Sequence, residues 1–427
     1  MTAPLVGYAG LTHLGLCSAV GAATKGFQVI GFSQNAGLVA SIAEGKLPVV
    51  EPGLDAALLA HKARLSFTSE PQKLGRCDVV YVAVDVPTNE LGASELGIID
   101  AMLQSIAPHL KADATLVILS QVPPGFTRGK SFPPQRLYYQ VETLIFGRAL
   151  ERATRPERFI VGCANPAAAL PAAYAAFLEG FGCPILPTRY ESAELAKIAI
   201  NCFLVASVST TNTLAELSER IGADWSEIAP ALKLDARIGP AAYLAPGLGI
   251  AGGNLERDLA TVLRMGAGAG TSTDVVAAYL QNSSHMKEWA YRTLKRTVLD
   301  VVKNPRVGIL GLAYKQDTNS TKNSPSLALI ERLQGVALTA HDPVVPGSVV
   351  PAVSVAGTPE AVADGADAIV LMTPWAQYRG LDLTALAARM RGRVVIDPYR
   401  LIDVEVATKA GLDVHSIGRG VLPGTGK

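Results

Sequence analysis

Two groups of residues have types and spacing suited to chemistry. The first is the run Pro246-Gly247-Leu248-Gly249-Ile250-Ala251-Gly252-Gly253-Asn254-Leu255-Glu256-Arg257-Asp258, a glycine-dense loop that leads into a polar helix start. Glycine lets backbone come close to a ligand, and the amides that open a helix attract developing negative charge. Taken alone, the loop reads more readily as a tight turn with Asn254 as the N-cap of the next helix. The second group is Lys197 and Asn201, four residues apart in the proline-free stretch from Glu191 to Ile221, which reads as one long central helix. At that spacing an amine and an amide share a face and can meet one ligand; without further context such a pair is more often a solvated face. Cys202 lies about 140° round the helix from Lys197 and reads as a small buried hydrophobe.

The elements that must position these groups are legible on either side. Leu5 to Ala9 is a short apolar run, followed by Gly10-Leu11-Thr12-His13-Leu14-Gly15, a helical stretch from Leu16 to Lys25 and a second apolar run, Phe27 to Phe32. Strand, glycine turn, helix and strand form the setting of a dinucleotide fingerprint. Its second glycine position holds Thr12, and its usual ribose-binding acid is replaced by Ser33-Gln34-Asn35. NAD is the expected cofactor, with NADP as the alternative. His13 reads as an exposed residue of the first helical turn. Further strands are expected near Leu65 to Thr68, Val79 to Val84 and Thr115 to Leu119. The loops that follow the last two carry Val84, Pro87, Ser120 and Gln121, and such loops in a parallel sheet sit beside the ligand.

After the central helix, Val275 to Val302 reads as a further helix, and βα signals return at Arg306 to Leu310, Val336 to His341, Ala368 to Met372 and Val394 to Asp397. The expected fold is therefore α/β, with two doubly wound Rossmann-like domains joined by a long central helix. The divisions fall at residues 1–190, 191–303 and 304–427. The chain has 427 residues, 49% hydrophobic and 18% charged, with a formal net charge of +1. That balance predicts large cores and argues against a nucleic-acid or anionic-membrane partner. Five cysteines without a paired or metal-like spacing predict reduced thiols, no metal centre and a cytoplasmic protein. Apolar runs such as Ile198 to Val208 read as too short or too interrupted to span a bilayer.

Between the second and third strands stands Glu51-Pro52-Gly53-Leu54, and here the chain resembles the UDP-glucose/GDP-mannose dehydrogenase family, the nucleotide-sugar 6-dehydrogenases. The resemblance continues through Ser120 to Thr127, Arg155 to Gly162, Glu194 to Asn212, the glycine loop, Gly311-Leu312-Ala313-Tyr314-Lys315 and Asn323-Ser324-Pro325. It implies oxidation of a sugar primary alcohol to a carboxylate in two hydride transfers, through an aldehyde and a cysteine thioester. It matches Asp258 and Lys197 to the general base and alkoxide stabiliser, and Asn201 to the residue that orients the oxygen. Arg237, Tyr243, Gly249, Gly252, Gly253, Lys315 and Lys322 fall on the substrate side, and a homodimer through the central helix is implied.

The departures from the family pattern gather on the second half of that reaction. The nucleophile position is Asn254, and an amide cannot form a thioester. The threonine after Ser120 is Gln121, and an acid that follows Glu142 is replaced by Phe146. Glu142 itself is retained and can hold a water. An oxidoreductase that stops after two electrons is the favoured reading. A redox isomerase with a tightly held cofactor, and a paralogue that binds nucleotide sugar without turnover, are the other two.

Overall fold

The structure is a computed structural model that describes residues 3–89 and 94–422. The chain forms two compact units, Met1–Ile200 and Asn201–Lys427, and the helix Tyr190–Ile221 runs through both.

The first unit is built on an eight-stranded sheet of β1 (Leu5–Ala9), β2 (Gln28–Phe32), β3 (Leu65–Thr68), β4 (Val79–Val82), β5 (Thr115–Ile118), β6 (Leu137–Gln140), β7 (Phe159–Cys163) and β8 (Ile185–Arg189). Their spatial order is β3-β2-β1-β4-β5-β6-β7-β8, parallel except where β6 meets β7. The central strands are apolar runs buried along their whole length, as a sheet covered on both faces requires. The order reverses between β1 and β4, which opens a crevice at the carboxyl ends of those strands.

In the second unit β9 (Arg306–Leu310), β10 (Ala337–His341), β11 (Ser354–Val355), β12 (Ala368–Leu371), β13 (Val394–Ile396), β14 (Asp413–Ser416) and β15 (Arg419–Leu422) form the sheet. The order is β11-β10-β9-β12-β13-β14-β15, with only β15 antiparallel, and the reversal falls between β9 and β12. Two doubly wound sheets and the long central helix agree with the sequence expectation.

Three elements depart from it. The first helix begins at His13 rather than Leu16, because the turn closes within Gly10 to Thr12. The stretch Val275 to Val302 is not one helix: Asp274–Lys287 stops at Glu288, Trp289–Leu294 follows, and Lys295–Leu299 is a π-helical turn. The break places Trp289 in the core, where its indole donates to Glu219 at 3.1 Å. The central helix, continuous over 32 residues, is also long and apolar enough to cross a membrane by length and composition. Its polar side chains are engaged inside each unit, however. Glu194 accepts from the amides of Gly125 and Thr127 at 2.6 and 2.8 Å, and Asn212 accepts from Gly247 at 2.9 Å. These bonds tie the helix into each unit.

Candidate active site

In the first unit the glycine turn follows β1. Gly10 has φ +113°, and a Cβ there would meet the Ala83 carbonyl at 2.7 Å; a Cβ on Gly15 would stand 1.8 Å from the Gly10 oxygen. Both positions need glycine for close packing. Thr12 does not, since φ −82° is open to any residue. Its hydroxyl accepts from the Asp85 amide at 3.1 Å and donates to the Ala83 carbonyl at 3.4 Å, tying this turn to the loop after β4. Ser120 continues the lacing: its hydroxyl accepts from Val84 N at 3.0 Å and donates to Val84 O at 2.7 Å.

This crevice fits a dinucleotide. The first-turn amides of His13–Thr24 have no acceptor within the helix, and the glycines leave room for backbone to approach a pyrophosphate. At the end of β2, Asn35 is used as the cap of the next helix, accepting from Leu38 N at 3.0 Å. The neighbouring Ser33 hydroxyl, the other residue expected at the ribose, accepts from Asn35 N at 3.3 Å. Gln121 lies on the loop after β5, and Pro87 is exposed on the loop after β4.

His13 is the main correction. It is buried, not exposed: Nε2 lies 2.9 Å from Glu51 Oε2, and the ring stacks on Phe146 with centroids 4.1 Å apart. Glu51 is a hub, since its carboxylate also accepts from the amides of Gly147 at 3.1 Å and Ala149 at 2.7 Å. The charge of a buried carboxylate is offset in this way by several donors. His13 can thus reach a cofactor through its backbone, while its ring locks the cofactor helix to the segment that follows Glu142. Phe146, where the family pattern has an acid, supplies the face on which that ring rests. On the same segment Glu142 pairs with Lys197 Nζ at 3.3 Å, both side chains largely buried.

In the second unit Asn201 Nδ2 donates to Asp258 Oδ2 at 2.5 Å, and Arg257 Nε lies 3.3 Å from Oδ1. Asp258 is 2% exposed and Arg257 4%, so the guanidinium opposes the carboxylate's charge out of water. The helix that carries them is Asn254–Ala269. Its cap is Gly253, with no side-chain cap bond, so Asn254 is the first helical residue and not the N-cap. The helix thus begins one residue earlier than expected, and Asn254 is exposed in its first turn.

The glycine loop itself is tightly placed. A Cβ on Gly249 would meet the Ser283 carbonyl at 2.5 Å, one on Gly252 the Tyr314 ring at 3.2 Å, and one on Gly253 the Lys322 Cε at 3.1 Å. Asn323 Nδ2 donates to Gly252 O at 2.7 Å. The expected substrate residues Gly252, Gly253 and Lys322 are thus brought together, and Lys315 lies over the Tyr314 ring at 5.7 Å. Arg237 is not among them: its side chain is 89% exposed and pairs with Asp235 at 2.7 Å. Tyr243 is exposed, and its carbonyl accepts from Ser207 at 3.0 Å and Thr211 at 3.2 Å.

Every thiol is pushed upward by burial, Cys77 to about 12. Cys202 is raised by burial and then by the charge of Asp258; it packs against Val205, Ile250 and Leu259 as a partly buried hydrophobe. Sequence reasoning missed Glu51, Glu194, Arg257 and Tyr314 as positioning residues. Their signal was present only as a charged or hydroxylated residue inside a motif otherwise read for its glycines and prolines.

Comparison with known proteins identifies the family. The UDP-glucose/GDP-mannose dehydrogenase family matches in three parts: its NAD binding domain over residues 5–177, its central domain over 191–284 and its UDP binding domain over 308–404. UDP-glucose 6-dehydrogenase TuaD of Bacillus subtilis is 30% identical over 97% of this chain and 93% of its own length. The UDP-glucose 6-dehydrogenase of Pseudomonas aeruginosa is 30% identical over 96% of each. Among solved structures, a UDP-glucose dehydrogenase from the archaeon Pyrobaculum islandicum superimposes with a TM-score of 0.85 at 27% identity, covering 98% of both chains. The chain belongs to the UDP-glucose/GDP-mannose dehydrogenase family.

Proposed function

We propose that this chain oxidises the C6 primary alcohol of a nucleotide sugar, a UDP- or GDP-hexose, with NAD, and that the reaction stops after one two-electron step. The observation that carries the second half is Asn254, an exposed amide at the helix start where the family pattern places its thiol. All five thiols being raised by burial supports it, since none is poised as a thiolate. Within the chain, the division of labour follows residues 1–190, 191–303 and 304–427.

NAD, when bound, accepts the hydride. The chain's own residues do the rest. The backbone amides of Thr12, His13 and Leu14 would hold its pyrophosphate, Ser33 its ribose, and the loops of Val84, Pro87, Ser120 and Gln121 its nicotinamide half. Ser33 to Leu38 contains neither lysine nor arginine for a 2′-phosphate, which favours NAD over NADP. Asp258, oriented by Asn201 and Arg257, takes the hydroxyl proton, and the Lys197 ammonium stabilises the alkoxide. Glu142 holds Lys197 in place and can hold a water. Gly249, Gly252, Gly253, Lys315 and Lys322 take the sugar diphosphate. Arg237 and Tyr243, exposed in one chain, serve a site completed by a second copy. Phe203, 80% exposed, continues along the central helix to exposed Leu214, Leu217 and Ile221, a stripe suited to a homodimer.

The test is Asn254→Cys. With a UDP-hexose and NAD, the parent yields an aldehyde that hydroxylamine traps, and the folded variant yields acid in its place. An unchanged product from a folded variant contradicts the role given to Asn254.

A further inference from the structure

The last turn of the central helix, the π-helical turn Lys295–Leu299 and the end of β14 with the start of β15 line a half-open pocket of about 150 Å³. A single water needs ~10–15 Å³ of such space, so the pocket has room for a small ligand. Three arginines line it: Arg220 from the helix, Arg296 from the π turn and Arg419 from β15. Arg419 is shared with Asp224 at 3.2 Å. Arg220 and Arg296 form no ion pair among the described residues.

The other walls show how the charge acts. His415 is buried, and its imidazole is held below its usual range by burial and then by Arg296. Ser416, at the end of β14, has a buried hydroxyl without a hydrogen-bond partner, a donor that rotation about its side chain can turn to a ligand. Glu219 is the one acid in the wall among the described residues, and it is engaged by the Trp289 indole and the Gly418 amide, both at 3.1 Å. Glu216, one turn earlier, is taken up by His285 at 2.7 Å and Arg292 at 2.8 Å. With Arg419 already paired to Asp224, Arg220 and Arg296 stand against one wall carboxylate and leave an excess of positive charge, which a bound anion offsets. The carbonyl end of the central helix acts against an anion. The planar forks of arginine, which pair bidentately with phosphoryl oxygens, act more strongly in its favour.

We propose that this pocket is a second anion site, which takes a small phosphorylated ligand with one or two phosphoryl groups presented to Arg220, Arg296 and Arg419. It is separate from the nucleotide loop after β9. In the order β9-β12-β13-β14 the two strand ends lie three spacings apart, about 14 Å across the sheet. A π turn at its wall is in keeping with ligand sites elsewhere.

The test is calorimetric titration of the full chain with pyrophosphate, and in parallel orthophosphate, with saturating NAD and UDP present and ionic strength matched. Saturable binding that persists under these conditions is expected. Arg220→Gln with Arg296→Gln weakens it at least tenfold, and Glu219→Gln tightens it severalfold. Loss of binding once NAD and UDP fill their sites overturns the proposal, as does equal affinity in the arginine double variant. Trp289 in the wall gives a second signal that does not depend on the arginine variants. A fluorescence change on pyrophosphate binding that Trp289→Phe lacks supports the site; the same change in that variant overturns it.

Discussion

Glu51→Gln tests how the cofactor helix is tied to the segment behind Glu142. In the parent, one carboxylate oxygen takes the Ala149 amide at 2.7 Å and the other takes His13 Nε2 at 2.9 Å and Gly147 N at 3.1 Å. Glutamine keeps one acceptor and presents an NH2 group in place of the other. If that group faces His13, the imidazole can switch tautomer and accept it, but the Gly147 amide then loses its acceptor. If it faces Ala149, a buried amide is left opposed to another donor. Either way one backbone N–H is orphaned, which costs about 1–3 kcal/mol, and loss of the charge adds to that side of the range. Glu51→Ala removes all the acceptors and should cost more, about 3–5 kcal/mol. Urea unfolding reads the difference as a shift in midpoint at unchanged slope, and hydrogen exchange at Ala149 reports the local loss. A Glu51→Gln variant within about 0.5 kcal/mol of the parent, with Ala149 equally protected, would refute the hub.

Other outcomes follow from the same structure. Asp258→Asn leaves Arg257 facing an amide in a buried position, so it should cost about 3–5 kcal/mol of stability and about 10²–10⁴ in turnover; a variant with full turnover removes Asp258 from the base role. Glu219 is raised from its usual value to about 7, chiefly by burial. An acid raised on folding contributes stability that is whole below about 4.5 and is lost as pH rises through about 7, at most about 3 kcal/mol. Glu219→Gln, whose single oxygen can still take both the Trp289 and Gly418 donors, should therefore flatten thermal stability between pH 5 and 8, and an unflattened profile contradicts the assignment. Phe203→Glu should convert a dimer to a monomer in light scattering, and a dimer that persists moves the interface off the central helix.

The sheets were legible because their central strands are short apolar runs closed by glycine turns, a pattern that needs no tertiary information. Strands β6 and β8 were not, because Leu137–Gln140 and Ile185–Arg189 mix polar residues into runs of four or five. The motifs located Lys197, Asn201 and Asp258, and the helical spacing of the first two was visible in the chain. What could not be read was partnership. His13 looks like a polar residue at a helix start, and only Glu51, 38 positions away, buries it. Thr12 looked like a damaged glycine position, yet its φ shows that no glycine was needed there and its hydroxyl laces two loops together. Asn254 was displaced from the cap by a single residue, a boundary that sequence patterns do not resolve. The break at Glu288 likewise leaves no mark, since neither glycine nor proline stands there.

The most direct measurement counts NADH formed per molecule of nucleotide sugar consumed, with the purified protein, saturating NAD and UDP- or GDP-hexoses as substrates. One NADH per sugar, with an aldehyde or its hydrate as product, is the expected result for a chain that carries Asn254. Two NADH per sugar, with the acid as product, would contradict it.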